Sequence, residues 1–324
     1  MILDFLFIVV GVVLVLWGAD RLTEGASALA RRMSVPEIVI GLTIVAAGTS
    51  APELFVSLVS ALKGTPDLAI GNVVGSNTMN SMLIVGITAM VAPMVIARST
   101  VRKDIPFSVL ASVLLILLCM DDFHSFSISG NMIGRFDGII LLIAFAVFMA
   151  YTFRVAMGGK KDAGPVPDGT SPVVAGPVWR SVAFVLLGLG CLIVGSNLFV
   201  DSASSVAAGL GVSEGVIGLT IVAGGTSLPE LATSVVAARK GQSAIAIGNV
   251  IGSNVFNILL ILGLTATISP MQIQGITAVD LLLMLFSVAL VWLFSFTRLT
   301  VERWEGAVLT GGYLAYLGWL LYNL

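Results

Sequence analysis

Residues 41–54 read GLTIVAAGTSAPEL, and residues 218–231 read GLTIVAGGTSLPEL. The two stretches are offset by 177 residues, and the same register relates AIGNVVGSNTMN at 69–80 to AIGNVIGSNVFN at 246–257. Identities at 26 of 40 aligned positions in one register identify an internal duplication. In each copy, glycine and proline weaken an otherwise apolar helix. The glutamate that follows them is costly to place in lipid.

The composition indicates that lipid surrounds most of the chain. Of its 324 residues, 57% are hydrophobic and 10% are charged, whereas a soluble domain carries about 25% charged residues. Because a spanning helix needs about 20 apolar residues, we predict ten spans. They are 2–20, 36–62, 68–92, 104–120, 136–154, 180–200, 213–238, 244–268, 276–296 and 305–322.

Lysine and arginine are distributed unevenly between alternate loops. Of the 16 such residues, only Lys63 and Arg135 fall in the even-numbered connections between spans. Cytoplasmic loops carry the excess of positive charge, so we expect both termini to lie outside the cytoplasm. We predict a multi-pass protein of a plasma (inner) membrane, with its first helix retained rather than cleaved as a signal peptide.

A Gly- and Pro-rich segment divides the predicted spans into two sets of five. It covers 155–179 and is predicted to be a cytoplasmic linker, so that 1–154 and 180–324 form the two repeats. Since five is odd, the second repeat enters the membrane from the opposite side. The predicted fold is an all-α integral membrane protein of ten transmembrane helices in two inverted five-helix repeats. Such repeats build many secondary transporters, with the substrate site at the midplane.

The prolines of the duplicated motif predict breaks that expose oxygen atoms. A proline inside a helix removes one backbone hydrogen bond and displaces the carbonyl four residues earlier, which is Gly48 for Pro52 and Gly225 for Pro229. In lipid, a freed carbonyl must be satisfied by protein, water or an ion. Further oxygens accompany each break, from Thr49, Ser50 and Glu53, and from Thr226, Ser227 and Glu230. Hard oxygen donors of this kind suit Ca²⁺, Na⁺ or Mg²⁺ and disfavour Zn²⁺ or Cu²⁺.

The charge of the two glutamates restricts what the breaks can hold. A lone ionised carboxylate in the membrane is expensive, and an inverted repeat brings Glu53 and Glu230 together as a cavity of charge −2. One Ca²⁺ or two Na⁺ would neutralise this charge, and protonation would also relieve it.

The second duplicated motif, G-N-V-x-G-S-N, adds neutral oxygen donors. Ser76 and Asn80 lie four residues apart and share a helix face, as do Ser253 and Asn257. We interpret these four as further ligands. Either ligation or helix packing remains open for the other four asparagines, Asn72, Asn77, Asn249 and Asn254.

Each residue type also has a plainer interpretation. A Gly/Pro pair alone is an ordinary kink, and a membrane serine or threonine usually bonds its own helix. The duplication favours an ion site, because the same break recurs with the same oxygens. His124 lies beside Asp121 and Asp122 in a predicted external loop and is interpreted as a surface residue. Cys119 and Cys191 lie in apolar runs and are predicted to be inert.

The motifs GTSAPE, GTSLPE, GNVVGSN and GNVIGSN, carried in two inverted halves, resemble those of the calcium/cation antiporter superfamily. The closest resemblance is to its prokaryotic sodium/calcium exchanger branch, and it covers nearly the whole chain. The resemblance implies that helices two, three, seven and eight form a core that holds the ions. It also implies that the long first and sixth helices slide across this core.

The resemblance further implies a set of ligands. Ca²⁺ would be held by Glu53, Glu230 and the carbonyls of Thr49 and Thr226. The Na⁺ sites would use both glutamates, the carbonyls of Ala46 and Ala223, and the side chains of Ser50, Ser227, Ser76 and Ser253. Asn80 and Asn257 would lie at the centre.

Two positions bear on the coupling ion. Some relatives carry aspartate where this chain has Asn257, and that aspartate is linked to K⁺, so the resemblance implies no K⁺ requirement. The proton-coupled branch resembles G-N-x-x-E with a nearby histidine, whereas this chain has GNVVGSN and GNVIGSN. The second difference argues against proton coupling.

The predicted function is a secondary active antiporter that exports Ca²⁺ in exchange for Na⁺ by alternating access. The alternatives are a calcium/proton antiporter and a passive cation channel. An intramembrane hydrolase using Ser50 or Ser227 lacks a base, so we expect no enzyme activity and no cofactor. The expected partners are Ca²⁺, Na⁺ and the lipid bilayer, with no obligate protein partner. Nucleic acid is excluded because no Lys/Arg cluster could neutralise several phosphates.

Overall fold

The chain is almost entirely helical wherever its structure is described. The structure, a computed structural model, describes residues 2–120, 131–158, 177–211, 221, 223–273 and 276–322. The first-half helices are α1 Ile2–Met33, α2 Glu37–Thr49, α3 Ala51–Leu62, α4 66–91, α5 100–119 and α6 Arg135–Gly158. The second-half helices are α7 Val178–Gly209, α8 Ala223–Thr226, α9 Leu228–Arg239, α10 Ser243–Ile268, α11 Ala278–Phe296 and α12 Arg303–Tyr322.

Long apolar helices make this a membrane protein. Within the described residues, α1, α4, α6, α7, α10 and α11 are each long and apolar enough to cross a bilayer. The pair α2 and α3 adds a seventh crossing if it counts as one broken span. The predicted span 213–238 lies partly outside the described residues. Most of the segment 155–179 lies outside them, and so do Asp121, Asp122 and His124.

Two helices continue well beyond the spans that were predicted within them. Spans were predicted over 2–20 and 180–200, whereas α1 and α7 each run for 32 residues, to Met33 and Gly209. An α-helix of that length is about 48 Å long, which exceeds the roughly 30 Å of a hydrocarbon core. The apolar run of α1 stops at Asp20, but the helix continues through polar and small residues to Met33, and Lys240 forms an ion pair with Asp20 at 2.6 Å.

Each GTS motif lies at a boundary between two helices. Ser50 separates α2 from α3 with φ −81° and ψ 7°, and the two helix axes differ by 46°. Ser227 separates α8 from α9 in nearly the same conformation, with φ −90° and ψ 6°. Pro52 and Pro229 therefore stand in the first turn of a new helix, where the missing N–H has no intrahelical partner to lose. A break is thus present at each motif as predicted, but each proline lies in the first turn of the second helix and not in a helix interior.

The long helices α1 and α7 pack closely along each other. A Cβ atom added to Gly11 would lie 2.8 Å from the carbonyl oxygen of Gly195, and one added to Gly18 would lie 2.8 Å from that of Gly188. The 177-residue register relates Gly11 to Gly188 and Gly18 to Gly195. If each glycine is replaced by its equivalent in the other half, the first contact becomes the second. This is the relationship expected for two helices related by an approximate twofold axis.

Two short antiparallel strand pairs lie between the helices. Strand β1, Met94–Val95, pairs with β4, Thr300–Val301, and β2, Met132–Ile133, pairs with β3, Met271–Gln272. Each pair joins one half of the chain to the other. The core centres on α10, where every residue from Ile245 to Val255 is buried.

Candidate functional site

The two glutamates of the duplicated motif lie in the first turns of α3 and α9. Both are buried, at 1% exposure. Each carboxylate accepts a hydrogen bond from the serine of the opposite half: the Ser227 hydroxyl donates to Glu53 Oε1 at 3.3 Å, and the Ser50 hydroxyl donates to Glu230 Oε1 at 3.2 Å. The two breaks therefore meet each other across the halves of the chain.

The serines of the second motif join this cluster on α4 and α10. Ser253 donates to Glu230 Oε1 at 3.3 Å, while the hydroxyl of Ser76 lies 3.5 Å from that of Ser227. The structure therefore brings together the serines and glutamates that were predicted from both motifs.

The threonines of the breaks also belong to the cluster. The Thr49 hydroxyl donates to Asn249 Oδ1 at 3.0 Å and lies 3.5 Å from the hydroxyl of Ser253. The side chain of Thr226 interacts with the carboxyl group of Glu53. Each threonine hydroxyl thus lies against residues of the opposite half.

Asparagine pairs connect the two halves beside the glutamates. Asn80 Nδ2 donates to Asn254 Oδ1 at 3.1 Å, and Asn257 Nδ2 donates to Asn77 Oδ1 at 3.0 Å. These two bonds also exchange under the 177-residue register. Because the amide nitrogens are held in this way, the carbonyl oxygens of Asn80 and Asn257 are fixed in orientation.

Four acceptor oxygens of the cluster are buried and have no hydrogen-bond donor among the residues that the structure describes. They are Oε2 of Glu53, Oε2 of Glu230, Oδ1 of Asn80 and Oδ1 of Asn257. Buried polar groups in proteins are almost always paired, so two equivalent pairs of unpaired acceptors in one place require a partner. Carboxylate and amide oxygens are ligands that Ca²⁺ accepts. The donor set therefore fits a hard cation.

The charge of the site comes from the two glutamates. Within the described residues, no group of three or more His, Cys, Asp or Glu side chains could hold a metal ion. Neutral hydroxyl, amide and backbone oxygens would therefore complete the coordination of any bound cation.

The backbone oxygen of Ala46, before the first break, is hydrogen-bonded within its own segment. The Ala46 carbonyl accepts from the Ser50 N–H at 2.9 Å and from the Thr49 hydroxyl at 3.4 Å. It would have to give up or share these bonds to bind an ion. Ala223 begins α8, one turn before the second break.

Asn72 and Asn249 connect neighbouring helices. Asn72 Nδ2 donates to the Glu53 carbonyl at 3.3 Å and to Ser57 at 3.1 Å. Asn249 makes the corresponding bonds to the Glu230 carbonyl and Ser234, at the same distances. These contacts favour the packing interpretation for both residues, because each fixes the helix that carries a glutamate.

The motifs did not predict every polar contact. Asn254 Nδ2 donates to Ser81 at 2.9 Å, but the residue 177 positions after Ser81 is Ile258, so the duplication gave no signal for it. Tyr151 and Tyr316 donate to Asp104 and Asp280 at 3.3 and 2.8 Å. These two contacts connect α5 to α6 and α11 to α12. They recur in both halves, and the spacing between aspartate and tyrosine differs between the halves.

Known proteins resemble this chain over almost its full length. The family model described as sodium/calcium exchanger protein matches residues 3–154 and 180–322. Inner membrane protein YrbG of Escherichia coli (strain K12) is 35% identical over 337 residues, covering 99% of this chain and 97% of that protein. The sodium/calcium exchanger MaX1 of Methanosarcina acetivorans is 32% identical over 348 residues, covering 98% of this chain and 99% of that protein.

Solved structures give the same relationship. The sodium-calcium exchanger NCX_Mj soaked with zero Na⁺ and Ca²⁺ aligns with a TM-score of 0.82 at 30% identity, covering 98% of this chain and 99% of that one. The resemblance drawn from the GTS and GNV motifs is confirmed, and the chain is a multi-pass helical membrane protein of the cation-exchange type. It belongs to the family of sodium/calcium exchanger proteins.

Proposed function

We propose that this protein is an antiporter that exports Ca²⁺ in exchange for Na⁺. The observation that carries the proposal is the pair of buried carboxylates, Glu53 and Glu230, each with an oxygen that lacks a donor within the described part of the chain. Two facing carboxylates give a charge of −2, which one Ca²⁺ neutralises. Because the same oxygens would serve both ions, Ca²⁺ and a full set of Na⁺ compete for the site. Competition of this kind couples the two fluxes.

The proposed ligands follow the two motifs. For Ca²⁺ they are Glu53, Glu230 and the carbonyls of Thr49 and Thr226. For Na⁺ they are both glutamates, the Ala46 and Ala223 carbonyls, Ser50, Ser227, Ser76 and Ser253. Asn80 and Asn257 lie centrally and contribute their fixed amide oxygens. The hydrogen bonds between Ser50 and Glu230 and between Ser227 and Glu53 support a single shared site.

We further propose that ten helices form two inverted halves, 1–154 and 180–324, joined by a cytoplasmic linker over 155–179. Supporting this arrangement, the hydrogen bonds of the site and the glycine contacts of α1 with α7 exchange under the 177-residue register. The loop charges support a plasma-membrane protein with both termini outside the cytoplasm. Alternating access would come from α1 and α7 sliding across the core. The protein would act without a cofactor or an enzymatic step.

The proposal predicts electrogenic exchange. Three Na⁺ for one Ca²⁺ would move one net charge, which is worth about 2.3 kcal/mol per 100 mV. Everted membrane vesicles or proteoliposomes provide the test. An imposed Na⁺ gradient should drive Ca²⁺ flux against its own gradient, and a membrane potential should alter the rate.

The same assay distinguishes the alternatives. Ca²⁺ flux that follows a pH gradient and ignores a Na⁺ gradient would identify a calcium/proton antiporter. Flux without any counter-ion would identify a passive channel. A matched control is the variant Glu53→Gln with Glu230→Gln, which removes both charges and should show neither flux.

A further inference from the structure

A second polar feature lies away from the ion site, at the end of the apolar helix α11. It is a cavity of about 520 Å³ that opens on the surface. Three of its six lining residues are arginines, Arg98, Arg102 and Arg298, and the other three are apolar, Val101, Phe296 and Leu299. No acidic residue is among those described as lining it. The cavity therefore combines three guanidinium groups with an apolar wall.

The backbone around the cavity is held by contacts between the two halves of the chain. Strand β1 pairs with β4, and the Ile96 N–H donates to the Leu299 carbonyl at 2.8 Å. The indole N–H of Trp292 donates to the Val101 carbonyl at 2.7 Å. Arg98, in the helical turn that leads into α5, and Arg102 lie four residues apart and share one helix face. The backbone that carries the arginines is thus held in place by contacts between the two halves.

The turn that carries the third arginine has an unusual backbone. Arg298 and Leu299 adopt φ values of 56° and 55°, in the left-handed region that residues other than glycine rarely occupy. Strained backbone of this kind clusters at ligand sites. Here it places Arg298 and Leu299 together in the cavity wall.

The positive charge of the cavity is poorly compensated. Within the described part of the chain, Arg98 and Arg102 form no ion pair, and Arg298 lies 3.6 Å from Glu302 with its side chain 83% exposed. An exposed pair at that distance contributes little. The general bias of positive charge toward one side of the membrane explains the presence of arginines there. It does not explain why three of them converge on one cavity.

We propose that this three-arginine cavity binds the phosphate group of an anionic lipid. Guanidinium groups match phosphate oxygens in a bidentate geometry. The cavity begins where the apolar span of α11 ends, at Phe296, which is the depth of lipid headgroups. The apolar side chains of Phe296 and Leu299 in its wall suit the glycerol and upper acyl region, which a free phosphate ion lacks.

The inverted counterpart of the cavity lacks the same chemistry. In the 177-residue register, the residues that correspond to Arg98 and Arg102 are Gly275 and Val279. The proposed site thus belongs to one side of the membrane only, unlike the ion site, which both halves share.

Lipid titration of the full chain in detergent tests the proposal. Native mass spectrometry would measure the affinity for phosphatidylglycerol, with phosphatidylcholine as the uncharged comparison. The variant Arg98→Gln with Arg102→Gln should weaken phosphatidylglycerol binding roughly 30-fold. The matched control, Arg154→Gln with Arg239→Gln, removes the same charge from two other exposed arginines and should bind like the unmodified protein.

Three results would overturn the proposal. Unchanged binding in the cavity variant would exclude the cavity, and an equal loss in both variants would indicate a general surface charge effect. A third arm adds inorganic phosphate or glycerol phosphate. Displacement of the lipid by either at concentrations close to that of the lipid would identify a free-anion site instead. Selective loss in the cavity variant, without such displacement, supports a lipid site.

Discussion

The two copies of the duplicated motif contain the same chemistry in different packing. Glu53 and Glu230 are equally buried, but the helices behind them differ. Gly252 in α10 is buried, and a Cβ added to it would lie 2.6 Å from Ala46 Cβ, whereas the equivalent Gly75 in α4 is exposed. The duplication therefore repeats the polar residues of the candidate site, while the packing around them differs.

The largest expected effect tests what the copies share. Replacing Glu53 by Gln removes half of the site charge while keeping its shape, and so does Glu230→Gln. Each single variant should lose Na⁺-driven Ca²⁺ flux in vesicles, because one carboxylate cannot neutralise Ca²⁺ in an apolar setting.

The comparison between the two variants is informative by itself. Equal losses would show that the glutamates act as one unit. Near-normal exchange in either variant would refute the site assignment. Glu24→Gln is a suitable control, since Glu24 pairs with Arg21 on the surface of α1 and lies outside the site.

A second prediction tests the difference in packing. Gly252→Ala should destabilise the protein by about 1–3 kcal/mol, because the added methyl group meets Ala46 and the backbone of Leu42. Gly75→Ala should be neutral or stabilising by about 0.5–1 kcal/mol, because alanine favours a helix over glycine. Thermal unfolding in detergent would measure both. Similar stability changes in the two variants would mean that the two helices are packed alike.

The smallest expected effect concerns two equivalent serines. Ser253 donates directly to Glu230, whereas Ser76 reaches only the hydroxyl of Ser227. Hydrogen bonds to charged groups are stronger than neutral ones, so Ser253→Ala should weaken Ca²⁺ binding about tenfold and Ser76→Ala only about threefold. Isothermal titration calorimetry would compare them. A larger loss of Ca²⁺ affinity for Ser76→Ala would show that the difference between these two hydrogen bonds does not determine Ca²⁺ binding.

Sequence reasoning predicted the composition of the candidate site better than its geometry. The duplication placed both GTS breaks and both GNV motifs on matching elements, and the structure brings their side chains together. It did not predict that Ser50 bonds Glu230 rather than Glu53, because a repeat indicates which segments face each other and not which atoms touch. Ser81 was missed because its partner, Asn254, lies on the other half and the repeat has no equivalent contact.

The ends of the long helices were missed for a different reason. A hydropathy pattern places the end of the first span at Asp20, where the apolar run ends, although the helix continues to Met33. The contact of Asp20 with Lys240 spans 220 positions of the chain and is not contained in any local pattern. The cavity of three arginines could not be predicted from the sequence for a similar reason. The pairing of β1 with β4 brings Arg298 close to Arg98 and Arg102.

The unpaired oxygens of Glu53, Glu230, Asn80 and Asn257 have a consequence for the transport cycle. A carrier that closes around them without an ion buries two facing negative charges and four acceptors with no donor, which is unfavourable. Under the proposed function, conversion of the ion-free protein between its two access states is therefore unfavourable. Only the ion-loaded protein completes the transport cycle. The penalty for an empty site would then suppress leak, so that one ion leaves only when another has taken its place.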